Sequence, residues 1–274
     1  MYYIYIYYYR RFLYEIFYKK NIKQFIYISL IIVFFTIILF ISLDNNNSRA
    51  DNPELYLSDE KRNLIQNLYE NEEKVAYLTF DDGPSKFVTP KVLEILKQNN
   101  TLANFFVVGK HVEEYPDLVK QAYEDGHFIA NHGYSHNNSK LYKSKQDFIN
   151  EILETDKSIS KAIGIENYCS HIFRFPNGSM SKIHYQDKKK AIKYLNEIDY
   201  TYIDWNSLNN DSMKKYSNAE LLANLKKSSA NKGTLVILMH DTGDVNKTYD
   251  ILEDSINFLK SEGYEFKTFY DLLK

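Results

Sequence analysis

Two adjacent carboxylates are the residues of this chain that are best placed to do chemistry. Asp81 and Asp82 follow the strand-like run 75–78, in the segment TFDDG of residues 79–83. Neighbouring acids repel each other unless a cation or a shared proton separates their charges. One carboxylate can hold a metal ion while the other acts as a base on the water that the metal activates. The pair therefore predicts a metal-dependent hydrolytic site, with further ligands elsewhere in the chain.

Two histidines are candidates for those ligands. His132 and His136 lie four residues apart and follow the short, strand-like run 128–130. This spacing lets both imidazoles face one metal from a helical turn or a tight loop. With Asp82 they make a set of two histidines and one carboxylate, which leaves a coordination position open, as catalytic sites do. The set favours zinc, with cobalt, nickel or iron(II) as alternatives.

Two more predicted strand ends carry polar residues that could join the site. Arg174 follows the apolar pair 172–173, and His240 follows the apolar run 234–239. Catalytic residues of a (β/α) barrel gather at the carboxyl ends of several strands. The four strand ends therefore predict one site at one edge of a parallel sheet.

Segments of strand and helix character alternate along the chain and predict an α/β fold. The predicted strands are 75–80, 103–107, 128–131, 171–175, 200–204, 234–239 and 264–267. The predicted helices are 89–98, 114–125, 146–163, 187–197, 218–229 and 247–262. Such alternation indicates a parallel sheet with crossover helices. About seven repeats are too few for a regular eight-fold barrel, so we expect a distorted, incomplete (β/α) barrel.

Five motifs in order make the chain resemble the polysaccharide deacetylase family, which is the NodB-homology or carbohydrate esterase 4 group. The family's motifs are T-F-D-D-G, H-x-x-x-H, R-x-P-x-G, a Trp-containing stretch with an Asp, and L-x-H. Here they lie at residues 79–83, 132–136, 174–178, 205–211 and 238–240. The resemblance covers about residues 74–270 and implies a NodB-like barrel and a deacetylase activity.

The resemblance also implies roles for the polar residues of these motifs. Asp81 resembles the general base, and Arg174 resembles the residue that orients the base. His240 resembles the general acid, and Asp211 resembles the acid that keeps this histidine protonated. Asp204 competes with Asp211 for that last role, and the spacing favours Asp211.

The remaining motif residues resemble metal ligands and substrate contacts. The family's metal ligands correspond to Asp82, His132 and His136. The backbone N–H of Asn177 corresponds to an oxyanion donor, and Leu238 and Trp205 correspond to residues around the acetyl methyl group. Gly133 stands where the family usually has Ser or Thr, whose hydroxyl braces the histidine loop, so we expect weaker metal affinity here.

The N-terminal region predicts a membrane anchor. Residues 25–43 carry no charge, and they follow a flank with Arg10, Arg11, Lys19, Lys20 and Lys23. Nineteen such residues nearly cross the hydrocarbon core of a bilayer, and snorkelling flanks supply the rest, while the positive flank places the domain outside. A cleaved signal peptide is the alternative, although the segment 48–50 is a poor cleavage site. The tyrosine-rich residues 2–9 are either an interfacial segment or sequence upstream of the true start.

These observations predict four segments. They are a cytoplasmic segment 1–23, a transmembrane signal anchor 24–43, an extracellular linker and helix 44–73, and a catalytic domain 74–274. Within the linker, residues 54–73 are expected to form a helix, either as a spacer or packed on the barrel.

Other polar residues are expected to be structural or solvated. They are His111, His127, His171 and His184, and the run Lys188-Lys189-Lys190, which is interpreted as a solvated helix face. A net charge of -2 gives no argument for nucleic acid binding, and the single cysteine, Cys169, excludes an internal disulfide. No protein partner is inferred.

The expected substrate is a polysaccharide of the cell envelope. An enzyme anchored outside the membrane meets peptidoglycan first, so its N-acetylglucosamine is expected before its N-acetylmuramic acid. An exopolysaccharide, a chitin-like glycan and O-acetylxylan are alternatives. The competing class is a pseudoenzyme that binds glycan without turnover, which the presence of Asp81 and His240 disfavours.

Overall fold

A curled sheet of parallel strands lies at the centre of the computed structural model, which describes residues 57–213, 216–242 and 248–273 and, apart from these, Arg11. The strands are β1 (Val75–Asp81), β2 (Asn104–Val107), β3 (Phe128–Asn131), β4 (Ile172–Phe173), β5 (Thr201–Tyr202), β6 (Ser207–Leu208), β7 (Leu235–His240) and β8 (Glu265–Phe266). Their order is β5-β4-β3-β2-β1-β7-β6, and β8 pairs with the start of β1. Within the described residues the sheet does not close, so the predicted incomplete barrel is observed as an open half-barrel.

Helices connect the strands and cover the sheet. They are α1 (Asp59–Gln66), α2 (Thr89–Gln98), α3 (Gly109–Glu114), α4 (Pro116–Glu124), α5 (Asn138–Leu141), α6 (Lys145–Ile163), α7 (Tyr185–Glu197), α8 (Asn218–Ser229), α9 (Thr248–Ser261) and α10 (Tyr270–Leu273). The long helix α6 has clear local signals at both ends. The Ser144 side chain accepts a hydrogen bond from the Asp147 N–H at its start, and Gly164 ends it with a φ of 76°.

Side-chain alternation along β1 separates the two faces of the sheet. The even-numbered residues of β1 join the larger hydrophobic core under the helices, whereas Val75 and Tyr77 join a smaller core on the other face. Successive side chains of a strand point to opposite faces. Thr79 and Asp81 therefore continue the face of Val75 and Tyr77, and they end it with polar groups at the carboxyl edge.

The register between β1 and β7 brings two motif residues side by side. These strands pair in parallel with Thr79 opposite Leu238 and Asp81 opposite His240. Leu238 and His240 lie on the same face as Val236, which belongs to the smaller core. The sheet thus places a carboxylate and an imidazole next to each other before any loop contributes.

The observed elements differ from the predicted ones in several places, and the short helices α5 and α10 were not predicted. The strand β6 was not predicted, because a two-residue polar strand has no alternation to detect. The predicted helix 114–125 is observed as α4, which begins at Pro116 because proline lacks an N–H, and the separate helix α3 before it was not predicted. The predicted helix 54–73 is shorter, with Ile65 of α1 and Leu68 buried in the smaller core, so this helix packs on the barrel.

The predictions for the first fifty residues concern a part of the chain that the structure does not describe. The anchor at 24–43, the flanking segment 1–23 and the tyrosine-rich residues 2–9 lie outside the described residues. Among the described residues, no helix has the length and apolar character that a membrane span requires.

The smaller core predicts a large stability effect at Phe269. This side chain is fully buried, and its ring centroid lies 5.2 Å from that of Tyr77 and 5.7 Å from that of Phe128. Phe269→Ala should lower the free energy of unfolding by about 3–5 kcal/mol, the usual cost of emptying a buried aromatic site. Phe87→Ala is the matched control, because Phe87 is 70% exposed and should change stability by at most about 0.5 kcal/mol. Urea denaturation measures both, and equal effects would contradict this packing.

Candidate active site

A buried arginine fixes the first carboxylate of the site. Arg174 is fully buried, and its Nη1 donates to Asp81 Oδ1 at 2.8 Å and to Thr79 Oγ1 at 2.6 Å. Its Nε and Nη2 donate to the carbonyl oxygens of Ile203 and Asp204, both at 3.0 Å. A buried guanidinium needs such complete pairing. Asp81 is thereby held in one orientation, with its Oδ2 left toward the histidines.

The three predicted metal ligands meet at the same edge of the sheet. His132 Nε2 and His136 Nε2 lie 3.2 and 3.0 Å from Asp82 Oδ1, and the three ligand atoms lie within 4.8 Å of one another. The histidines come from a loop after β3, which is the second of the two geometries that their spacing allowed. His132 is buried, whereas the His136 side chain is 34% exposed, so the cluster opens to solvent on one side.

The chemistry of these atoms fits a cation. His132 Nδ1 lies 2.9 Å from the carbonyl oxygen of Arg174. A carbonyl oxygen only accepts, so Nδ1 donates this hydrogen bond and Nε2 is the nitrogen that faces Asp82. Asp82 Oδ1 is buried and accepts no hydrogen bond within the described residues. Imidazole nitrogens and a carboxylate oxygen that converge on one point are the arrangement that a divalent metal satisfies.

The charges around Asp82 point the same way. Burial raises the pKa of Asp82, but the two imidazoles beside its carboxylate lower it more, to well below its usual range. The adjacent Asp82 carboxylate in turn raises the pKa of His136. A positive charge is thus favoured at this point, from protons on the imidazoles or from a bound cation.

A second imidazole–carboxylate pair lies beside Asp81. His240 Nδ1 lies 2.8 Å from Asp211 Oδ1, and the His240 N–H donates to Asp211 Oδ2 at 2.8 Å. Burial lowers the pKa of His240, but its hydrogen bond to Asp211 and nearby carboxylate charges raise it more, to about 9. Of the two candidates for this position, Asp211 therefore contacts the histidine, as the spacing favoured. Thr248 Oγ1 also donates to Asp211 Oδ2.

The turn after β4 presents the predicted oxyanion donor. Asn177 and Gly178 have φ angles of 66° and 77°, so both lie in the left-handed region. The Asn177 N–H donates to no acceptor within the described residues. Trp205 covers the turn, because a Cβ on Gly178 would lie 2.8 Å from the indole ring. Asp204, the other candidate partner of His240, instead accepts hydrogen bonds from the Ser179 N–H with its two carboxylate oxygens, at 2.9 and 3.0 Å.

The TFDDG segment depends on two neighbours that the sequence did not single out for the site. A Cβ on Gly83 would lie 2.2 Å from the carboxylate oxygens of Asp241, so only glycine fits there. Asp241 is buried and accepts a hydrogen bond from Thr89 Oγ1 at 2.6 Å. His111 Nδ1 donates to the carbonyl oxygen of Asp82 at 2.7 Å, and this holds Asp82 at its φ of 73°.

The histidine loop is braced by helix α6 despite the glycine at position 133. The Ser135 N–H and Oγ donate to the two carboxylate oxygens of Glu151, each at 2.7 Å. The Gly133 N–H donates to Asn131 Oδ1 at 2.9 Å, and Asn131 Nδ2 donates to Asp156 Oδ1 at 2.9 Å. The brace that a hydroxyl at position 133 would supply is therefore provided from other positions. Weaker metal affinity stays a prediction.

Comparisons with known proteins agree with the motifs. A family model described as polysaccharide deacetylase matches residues 69–203. A peptidoglycan-N-acetylglucosamine deacetylase of Bacillus cereus is 35% identical over 203 residues, which is 73% of this chain and 71% of that protein. A peptidoglycan-N-acetylmuramic acid deacetylase of Bacillus subtilis is 30% identical, over 73% of this chain and 72% of that protein. The chain belongs to the polysaccharide deacetylase family, a family of hydrolases, as the five motifs predicted.

Other similar proteins differ from this chain in activity or in length. A Streptococcus mutans CE4 esterase superposes with a TM-score of 0.68 at 26% identity, over 76% of this chain and 90% of that one. A CE4 family pseudoenzyme from Bacillus anthracis superposes with a TM-score of 0.61 at 25% identity, over 74% and 66%. A peptidoglycan-N-acetylglucosamine deacetylase of Listeria monocytogenes is 38% identical over 71% of this chain, which spans only 38% of that protein.

The His240–Asp211 pair predicts how activity depends on pH. A histidine that donates a proton must be charged, so kcat/KM should fall as the pH rises through the pKa of His240, which Asp211 raises. Asp211→Asn removes the negative charge and should move this alkaline limb to lower pH. A bound cation offsets the contributions of Asp81 and Asp82, but it leaves the effect of Asp211.

Asp250→Asn is the matched control, because it makes the same change at an exposed position of α9. Its alkaline limb should coincide with that of the unmodified protein. An alkaline limb that stays in place in Asp211→Asn would show that this pair does not set the essential proton.

Proposed function

We propose that this chain is a metal-dependent N-deacetylase of a cell-envelope polysaccharide, with N-acetylglucosamine of peptidoglycan as its substrate. One observation carries the proposal: a buried carboxylate, a three-ligand cluster and a charged imidazole converge at one edge of the sheet. Asp81 is the base, Asp82 with its two histidines is the metal site, and His240 is the acid. The peptidoglycan deacetylases among its relatives support the substrate class.

Asp82, His132 and His136 would hold the metal, with zinc as the first candidate and cobalt, nickel or iron(II) as alternatives. When bound, the cation polarises the acetyl carbonyl and lowers the pKa of a water molecule. Asp81 would accept the proton of the water molecule whose oxygen attacks the carbonyl carbon. The ion pair with Arg174 holds the Asp81 carboxylate in position.

The remaining groups complete the cleavage of the amide. The Asn177 N–H donates to the oxygen that becomes negative in the tetrahedral intermediate. His240 donates a proton to the sugar nitrogen as the carbon–nitrogen bond breaks, and acetate and a free amine are released. Leu238 is 7% exposed and lies on the same face of the sheet as His240. Leu238 and Trp205 are the residues that would contact the acetyl methyl group.

A pseudoenzyme remains the competing class, because a relative of similar fold is one. Such a protein would keep the barrel and a glycan groove, but it would lack the proton transfers. This chain has a base paired with arginine at 2.8 Å and an imidazole paired with a carboxylate at 2.8 Å. Both pairs cost free energy to bury, which a binding site for neutral sugars does not require.

The two adjacent acids should respond differently to the same substitution. Asp81→Asn should keep the metal and lose activity by a factor of about 10²–10⁴, the usual contribution of a general base. Asp82→Asn should lose the metal as well, because a neutral amide is a poor zinc ligand. The reason is that the Asp81 carboxylate pairs with Arg174, whereas the Asp82 carboxylate lies between the two imidazoles.

Elemental analysis and turnover on both variants separate the roles, with Asp254→Asn, on the exposed side of α9, as control. Metal lost from Asp81→Asn and kept in Asp82→Asn would reverse the assignment. Full turnover in Asp81→Asn would remove the proposed mechanism.

The substrate is tested by mass spectrometry on defined glycans. The purified full chain is incubated with muropeptides and with N-acetylchitooligosaccharides, and each product is read for loss of acetyl. Loss from the N-acetylglucosamine of muropeptides supports the proposal, whereas loss from N-acetylmuramic acid names the other sugar. Loss from the chitin oligomers alone would overturn the peptidoglycan assignment.

We further propose that the catalytic domain lies outside the cell and is anchored by residues 24–43. The charge-free stretch and its positively charged N-terminal flank motivate this. Protease added to intact protoplasts should remove the domain. A domain that is protected until lysis would contradict this topology.

A further inference from the structure

One buried lysine plays no part in the mechanism described above. Lys188 is 1% exposed, whereas Lys189 and Lys190 next to it are exposed. The expected solvated face is therefore wrong for Lys188. Its position follows from helix geometry, because Lys188, Ala191 and Leu195 form the buried stripe of α7 at spacings of three and four residues.

The Lys188 ammonium is directed at the oxyanion turn. Its Nζ donates to the carbonyl oxygen of Gly178 at 2.6 Å. Withdrawing an ammonium group from water is costly unless it is paired, and burial lowers the pKa of Lys188 while the charge of Asp204 raises it. Among the lysines that the structure describes, Lys188 is the buried one, and its ammonium contacts the turn that presents Asn177.

Asp204 holds the other end of the same peptide bond. Its two carboxylate oxygens accept from the Ser179 N–H at 2.9 and 3.0 Å, and Oδ2 also accepts from Ser179 Oγ. The Gly178–Ser179 peptide is thus held at its carbonyl by a positive group and at its N–H by a negative one. Hydrogen bonds to charged groups are about twice as strong as neutral ones.

We propose that Lys188 and Asp204 form a two-sided clamp that fixes the Gly178–Ser179 peptide and thereby sets the position of the Asn177 N–H. The two residues touch neither substrate nor metal, so they are positioning residues. The inference rests on the proposed function, since it gives the Asn177 N–H a role in the deacetylation.

The turn needs such support because its backbone is strained. Asn177 has a positive φ, which costs free energy for a residue with a Cβ and persists only where the surrounding structure enforces it. Removing one oxyanion donor lowers kcat by a factor of about 10²–10³. A misplacement of about 1 Å can cost a factor of about 10². Releasing one side of the clamp should therefore be visible in the chemical step.

The test compares Lys188→Met with Lys189→Met in the full chain. Lys188→Met keeps the length of the apolar stem and removes the charge, so kcat should fall by a factor of about 10–100. KM should change by less than a factor of about two, because the oxyanion exists only in the transition state. Lys189→Met is the matched control, since Lys189 is exposed on the same helix, and its kcat and KM should not change.

Asp204→Ala tests the other side and does not depend on whether Lys188→Met folds. It should also lower kcat at nearly constant KM, and the double variant should lose less than the product of the two single losses. Unchanged kcat in folded Lys188→Met or in Asp204→Ala would overturn the clamp. A fall in kcat that comes with a lower melting temperature and a raised KM would show a purely structural role, and it would also overturn the clamp. If Asp81→Asn were also fully active, the proposed function would fail with it, whereas an inactive Asp81→Asn confines the failure to the clamp.

Discussion

The hydrogen bond from the His132 ring to the Arg174 carbonyl oxygen is the interaction on which the site depends, because it decides which imidazole nitrogen faces Asp82. The same arginine binds Asp81 with its guanidinium. One residue, which has no exposed surface, therefore orients the proposed metal ligand His132 with its backbone and the proposed base Asp81 with its side chain. Arg174 couples these two groups although they lie 42 and 93 residues before it in the chain.

The parallel sheet supplies the second constraint. The register between β1 and β7 places Asp81 opposite His240. Because side chains alternate along a strand, both lie on the face of the sheet that carries the smaller core. Loops then add what strands cannot: Asp82 leaves the strand with a positive φ and turns toward the histidines. The proposed base, acid and ligand cluster thus occupy one edge, because Asp81 ends β1, Asp82 follows it and His240 ends the neighbouring strand β7.

Much of this site could be predicted because its residues follow strands, and strand ends are readable from apolar runs. The ligand cluster and the neighbours Asp81 and His240 were found in that way, and the structure brings them together. Groups that act through contacts to the backbone could not be predicted from the sequence in this way. Lys188 was misjudged because a run of lysines hides which one faces inward, although its spacing to Ala191 and Leu195 carries that information. The strand β6 escaped because only its partner β7 makes it a strand.

The most direct test of the account is the X-ray absorption spectrum of the zinc-loaded full chain, which reports the atoms around the metal. The account predicts one zinc per chain with two imidazole nitrogens at about 2.0–2.1 Å and an otherwise oxygen shell. In His132→Ala one imidazole should disappear from that shell, whereas in His184→Ala, on the exposed side of the domain, the spectrum should not change. A shell of oxygen alone, a sulfur scatterer, or an unchanged spectrum in His132→Ala would contradict the metal site proposed at Asp82, His132 and His136.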